Sequence, residues 1–184
     1  MKYRSFIRPA VLAATLVLGC VVVAHAALKE VEPGTSNFQA TGPGGLKIDG
    51  TGAGVRASEV DGMLTITVPV TDLKTGMDLR DGHLRDAIKA KEKPTATLTV
   101  PRASLNFPED GKKLERQQGK GTFTLHGVSK PLPFLYDVER HGTHLIVTGK
   151  SRIDITAHGI EKPCYLGVCV EKDVKIGAKF KLHD

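Results

Sequence analysis

The chain has 184 residues, 40% of them hydrophobic and 25% charged, with a formal net charge of +6 and no tryptophan. That composition excludes a disordered or collagen-like chain and supports one domain with a substantial core. The basic excess forms no dense Lys/Arg patch interleaved with aromatics, so nucleic acid is not an expected partner.

The first 26 residues read as a secretory signal peptide. Lys2, Arg4 and Arg8 form a positive n-region, Val11 to Ala24 is apolar and uncharged, and Ala24-His25-Ala26 is a small-x-small cleavage site. The apolar run is shorter than the roughly 20 residues a bilayer span requires, so no transmembrane span is expected in the mature chain. Val17-Leu18-Gly19-Cys20 resembles a lipobox that would anchor Cys20 by lipid, but Val21 to Ala24 stay apolar where a lipoprotein linker turns polar. Cleavage after Ala26 is the favoured reading. It leaves a single domain over residues 27–184 in the periplasm or outside the cell, and half of the net positive charge departs with the leader.

Along the mature chain, Ala27 to Thr35 reads as an arm and Ser36–Ala40 as a short strand. Thr41–Gly45 is a Gly/Pro turn, and Leu46–Thr51 reads as a returning strand. Gly52 to Gly62 reads as a polar connection. Leu64, Ile66, Val68 and Val70 alternate with polar residues or proline, the pattern of a strand buried on one face. Pro69 withholds a backbone donor, which suggests an edge or an irregular stretch. Asp78 to Lys89 breaks the alternation and reads as a short helix with Asp78 as N-cap. Its Leu84 and Ile88 share a buried face with Met77 or Leu79, and Asp81 and Arg85 stand i,i+4.

Further strands follow at Ala96–Val100, Gly121–Leu125, Leu132–Val138, His144–Thr148 (extended or bent over Arg152–Ala157) and Val174–Leu182. Residues 101–118 form a polar excursion. About eight antiparallel strands joined by short turns, with one short helix, predict a mainly β fold: a small barrel able to hold side chains or one small ligand.

Cys164 and Cys169 are an even pair in an oxidising compartment, which favours a disulfide closing a short loop. The C-x4-C spacing is not the C-x-x-C of a redox motif, although a thiol-redox role stays open. No metal is expected, because His158 is the one further ligand nearby in sequence. No G-x-S-x-G, H-E-x-x-H or P-loop pattern occurs, so catalysis is not expected.

The segment Thr71–Arg85, with Thr75, Gly76, Arg80, Asp81, His83, Leu84 and Arg85, resembles the YceI-like family of periplasmic lipid-binding proteins. Gly119–Leu132, with Gly127, Val128, Lys130 and Pro131, resembles that family's second hairpin. Ile153-Asp154-Ile155, Gly159-Ile160 and the Val174-Lys175-Ile176 strand are similar in a looser way. The resemblance implies a lipocalin-like barrel with a helical segment at one end, no catalytic apparatus and no cofactor other than a bound lipid. It implies an apolar pocket that in some members holds a polyisoprenoid or a similar lipid tail. Candidate lining residues are the inward stripes Leu64, Ile66, Val68, Leu98, Val100, Phe123, Leu132, Phe134, Tyr136, Ile176 and Phe180, with Leu84 and Ile88 from the helix. Arg80, His83 and Arg85 are headgroup candidates, since a guanidinium can offer two parallel donors to a phosphate. The alternative is a packed barrel without lipid that works as a surface interaction or stress-related module. Oligomeric state is not legible.

Overall fold

A computed structural model describes residues 26–165 and 168–184. The leader expected over residues 1–26 and its Cys20 therefore lie outside the described residues, except for Ala26. The elements in order are β1 (Lys29–Thr41), β2 (Lys47–Val60), β3 (Met63–Pro69), α1 (Asp78–Ala87), β4 (Thr95–Pro101) and β5 (Lys113–Leu125). They continue with β6 (Val128–His141), β7 (His144–Asp154), β8 (Cys164–Tyr165), β9 (Val168–Cys169) and β10 (Asp173–His183).

Strands β1 to β7 pair each with the next, β7 pairs with β10, and β10 closes on β1, so eight antiparallel strands form a closed barrel. β8 and β9 form a separate two-stranded hairpin. No described helix is long and apolar enough to cross a membrane. Closure leaves no edge, which corrects that half of the expectation for Pro69; it sits at the last β3–β4 pair, opposite Thr95 and beyond Thr67, where pairing with β2 stops, as the irregular alternative has it.

The largest departure from the sequence reading is β2. Residues expected to be a polar connection extend a long strand that pairs with β1 over Lys47–Val55 and with β3 over Arg56–Val60. Its inward positions are Gly50, Gly52, Val55 and Ala57. Three of these are too small to carry an alternation signal, and a bulge at Gly54 (φ 79°) breaks the phase. Asp61 (φ 50°) and Gly62 (φ 73°) then make the tight two-residue turn into β3, a left-handed pair of the kind Asp-Gly favours. β1 and β5 likewise begin earlier than expected, at Lys29 and Lys113.

The helix is Asp78–Ala87, with Met77 at the N-cap rather than Asp78, which falls in the first turn. Met77 and Leu79 are exposed, so the apolar inward face is made by Leu84, Ala87 and Ile88 without them. The interior has two apolar clusters. One, nearest the helix, gathers Val70, Ile88, Phe123, Leu125, Leu132, Ile153 and Val174 with their neighbours. The other, at the opposite end, gathers Leu28, Val55, Leu64, Ile66, Tyr136, Val138, Leu145, Phe180 and Leu182 with theirs.

Candidate functional site

The inner faces of the strands do not meet in the middle. A cavity of about 250 Å³ runs between the two clusters, bordered by Val70, Ile88, Phe123 and Val174 toward the helix and by Leu64, Val138, Val147 and Leu182 toward the other end. Packed interiors hold few voids larger than one water, so a space of this size is a container rather than a packing fault. Its lining is Leu, Ile, Val, Phe and Ala almost throughout. A cavity so lined stays dry and receives apolar groups.

Register explains where the space comes from. Gly52 of β2 pairs with Ser36 of β1, Ser36 with Ala178 of β10, Ala178 with Gly149 of β7, and Gly149 with Tyr136 of β6. All five sit on the inward phase. Four adjacent strands thus present Gly, Ser, Ala and Gly at one level of the barrel; Leu73 fills the space at Gly52, while Ser36, Ala178 and Gly149 border the cavity. A Cβ added to Gly149 would meet no heavy atom within 4 Å. At the next level toward the helix, Phe38 lies over Gly50 and Phe134 over Gly119, each ring covering the glycine on the paired strand.

Every candidate lining residue named from the sequence borders this cavity: Leu64, Ile66, Val68, Leu98, Val100, Phe123, Leu132, Phe134, Tyr136, Ile176 and Phe180 from the strands, Leu84 and Ile88 from the helix. The sequence reading missed Ser36, Phe38, Leu73, Leu105, Phe107 and Gly149, which also border it. Leu105 and Phe107 come from the segment taken for a polar excursion. They lie in a loop with no periodicity, and two large apolar residues two apart were the available signal.

Polar groups around the cavity are few and mostly engaged. The Tyr136 hydroxyl accepts from the Asn106 N–H at 2.7 Å and donates to the Asn106 carbonyl at 3.2 Å. Burial pushes its pKa up, which keeps it a donor. Ser151 donates to the Pro133 carbonyl at 2.6 Å. Asn37 and Lys150 are exposed and lie on the outward phase of their strands. The buried Ser36 Oγ has no hydrogen-bond partner.

The headgroup candidates do not border the cavity. Arg80 donates from Nε to Thr75 Oγ1 at 2.7 Å and from Nη2 to the Thr75 carbonyl at 2.6 Å. Asp81, buried, accepts from the Thr75 N–H at 2.7 Å and from its hydroxyl at 2.5 Å. The Thr75 hydroxyl bond, helped by the nearby Arg85 and Arg80 charges, holds the Asp81 carboxyl below the usual aspartate range. Asp81 thus braces the loop before the helix. Its expected pairing with Arg85 is only a long-range attraction. His83 is exposed and Arg85 half-buried, both outside the barrel wall. Cys164 and Cys169 are disulfide-bonded across the β8–β9 hairpin, with Cα atoms 3.9 Å apart.

A family model, YceI-like domain, matches residues 22–182. The chain belongs to the YceI-like family. Solved structures share its fold at low identity. A polyisoprenoid binding domain from Saccharophagus degradans implicated in plant cell wall breakdown is 18% identical, covers 85% of this chain and 97% of its own, and superposes with a TM-score of 0.69. BcnA of Burkholderia cenocepacia is 17% identical over 81% of this chain and 95% of its own, with a TM-score of 0.60. The YCEI protein of Campylobacter jejuni is 15% identical over 94% and 93%, with a TM-score of 0.50. No match was found among curated protein sequences.

Proposed function

We propose that this YceI-like barrel is exported and binds an amphipathic lipid, such as an isoprenoid chain, with the apolar part of the ligand inside the barrel. The observation that carries the reading is the cavity itself, apolar along its length and opened by small residues at one level. Each methylene moved from water into such a space contributes about 0.8 kcal/mol, so a chain of modest length suffices for tight binding. The polyisoprenoid binding domain of S. degradans shares the fold, which is the support for the ligand class. The signal-peptide-like leader supports a periplasmic or secreted location. A binding protein of this kind carries or sequesters its ligand and performs no reaction.

The ligand enters beneath α1. Of the headgroup candidates, Arg80 is engaged with Thr75, which leaves His83 and Arg85 to meet a polar head outside the wall.

The test is to isolate the mature protein gently, extract it with organic solvent and identify what is released by mass spectrometry, for the parent and for Gly149→Phe. A Cβ at Gly149 meets no heavy atom within 4 Å and the position borders the cavity, so the larger side chain is introduced to occupy the ligand's space. The parent is expected to release a lipid and the variant to release little or none while unfolding at no lower a temperature. No lipid from the parent, together with no uptake of added isoprenoid, overturns the reading.

A further inference from the structure

We infer that the barrel is a blind-ended container for a tail of about ten carbons, the length of two isoprene units or of a medium acyl chain, and that any further length stays outside. The inference rests on the container reading and sets the tail length of its ligand.

Volume gives the length. An apolar cavity of about 150 Å³ takes up one benzene, so each carbon needs about 25 Å³. At that density the cavity of about 250 Å³ houses about ten carbons.

The end away from the helix is closed, which turns a volume into a depth. Leu28, Leu145 and Leu182 are 0% exposed there, and Val100 and Val138 1%. Leu182, Val100 and Val138 border the cavity, so they meet the end of a tail. Leu105 and Phe107 border it too, from a loop packed against the same cluster. The Tyr136 hydroxyl holds both backbone groups of Asn106, the residue between them, which fixes this stop in place. Side chains packed so closely leave no passage for a chain.

Polarity sets the direction of entry. The lining is apolar, and the hydroxyls of Tyr136 and Ser151 already donate to the Asn106 and Pro133 carbonyls. A polar head drawn inside would lose its water without gaining a partner. The tail therefore enters first and the head stays at the mouth. Each carbon inside adds the burial of one methylene, whereas each carbon beyond the limit remains in water and adds nothing.

The experiment is isothermal titration calorimetry of the delipidated mature protein with n-alkylphosphocholines of about six to about sixteen carbons, each below its micelle limit. All carry the same zwitterionic head, so differences in affinity report the tail alone. In the parent, affinity is expected to rise about fourfold per carbon and to level off near ten carbons. Leu105→Ala takes three carbons away from the stop and should move the break to about thirteen. Gly149→Val places three carbons where a Cβ meets no heavy atom within 4 Å, and should move it to about seven. The second variant keeps the test decisive if Leu105→Ala does not fold. An undiminished rise through the longest tails, or a break that a folded variant leaves where the parent has it, overturns the length limit and leaves the container reading standing. No binding at any length overturns this inference, and the container reading with it when the parent also takes up no added isoprenoid.

Discussion

Two covers close this barrel, and they are fastened differently. At one end the loop from Arg102 to Lys112 is tied into the strands by charge-assisted and buried hydrogen bonds. Arg102 donates to Glu59 at 2.9 Å and to the Ala26 carbonyl at 2.6 Å, while Glu59 also accepts from the Leu28 N–H at 2.9 Å. Arg140 donates to the Pro108 carbonyl at 2.8 Å and to Asp184 at 2.8 Å, and Tyr136 holds both backbone groups of Asn106. At the other end, among the described residues, α1 makes its side-chain hydrogen bonds only to Thr75, in the loop just before it, and meets the strands through Leu84, Ala87 and Ile88. The first cover is a floor whose removal exposes unpaired buried groups. The second rests on apolar contact and can lift without orphaning any strand.

The sharpest way to break that contrast is to cut the floor. Arg102→Ala leaves Glu59, whose side chain is 8% exposed, without its cation. Removing one partner of a buried pair is strongly destabilising, so a loss of about 3 kcal/mol is expected in denaturant unfolding. A loss below a few tenths of a kcal/mol would mean the floor is not held by this pair.

Lifting the other cover should affect ligand kinetics more than fold stability. Leu84→Ala removes apolar contact between α1 and the cluster beneath it, at a cost of about 2 kcal/mol or less because Leu84 is only partly buried. Lipid release measured by transfer to acceptor vesicles should then quicken, whereas Arg102→Ala should leave that rate near the parent's. If both variants release lipid equally fast, the mouth is not under α1.

Acid distinguishes the two covers as well. Asp81 has its pKa lowered in the folded protein, chiefly by the Thr75 hydroxyl. A depressed folded value means its contribution is fully present above the ordinary aspartate range and is lost as pH falls through the folded value. Asp81→Ala should therefore melt below the parent at neutral pH, and the gap should close in strong acid. Hydrogen exchange should place the acid-induced loosening in α1 and the loop before it.

How much of this was visible in the sequence depends on what fills the inside. Leu64–Val70, Leu132–Val138 and Val174–Leu182 announce themselves because apolar side chains, large at all positions but Ala178, occupy every inward position. β2 was hidden because Gly50, Gly52 and Ala57 take the same positions, and the inward phase of β7 is blurred by Gly149 and Ser151. Of these silent positions Gly149 and Ser151 border the cavity, whereas Gly50 lies under Phe38, Gly52 beside Leu73 and Ala57 in the packed end. Loss of alternation on β7 therefore coincides with the cavity, and on β2 it only makes a strand read like a loop. The floor was hidden for another reason: Asn106 gains its role from Tyr136, 30 residues away, which no local pattern encodes.

The smallest effect should come from the β8–β9 hairpin, which lies on the helix side of the barrel and, among the described residues, forms a two-stranded sheet separate from it. Chain entropy sets a ceiling of about 2 kcal/mol for a disulfide closing so short a loop. Little of that reaches the barrel, because the hairpin can open while the eight strands stay paired. Pro163 and Val170, which flank it, do border the cavity, and the Val170 N–H donates to the Pro163 carbonyl at 2.9 Å. Reduction of Cys164–Cys169 is therefore expected to leave the melting temperature almost unchanged while raising exchange at residues 163–170 and modestly speeding lipid release. A large fall in melting temperature on reduction would instead make the hairpin part of the barrel's cooperative unit. The helix side would then be held by a covalent fastening as firm as the floor's ion pairs, and the distinction between the two covers would be lost.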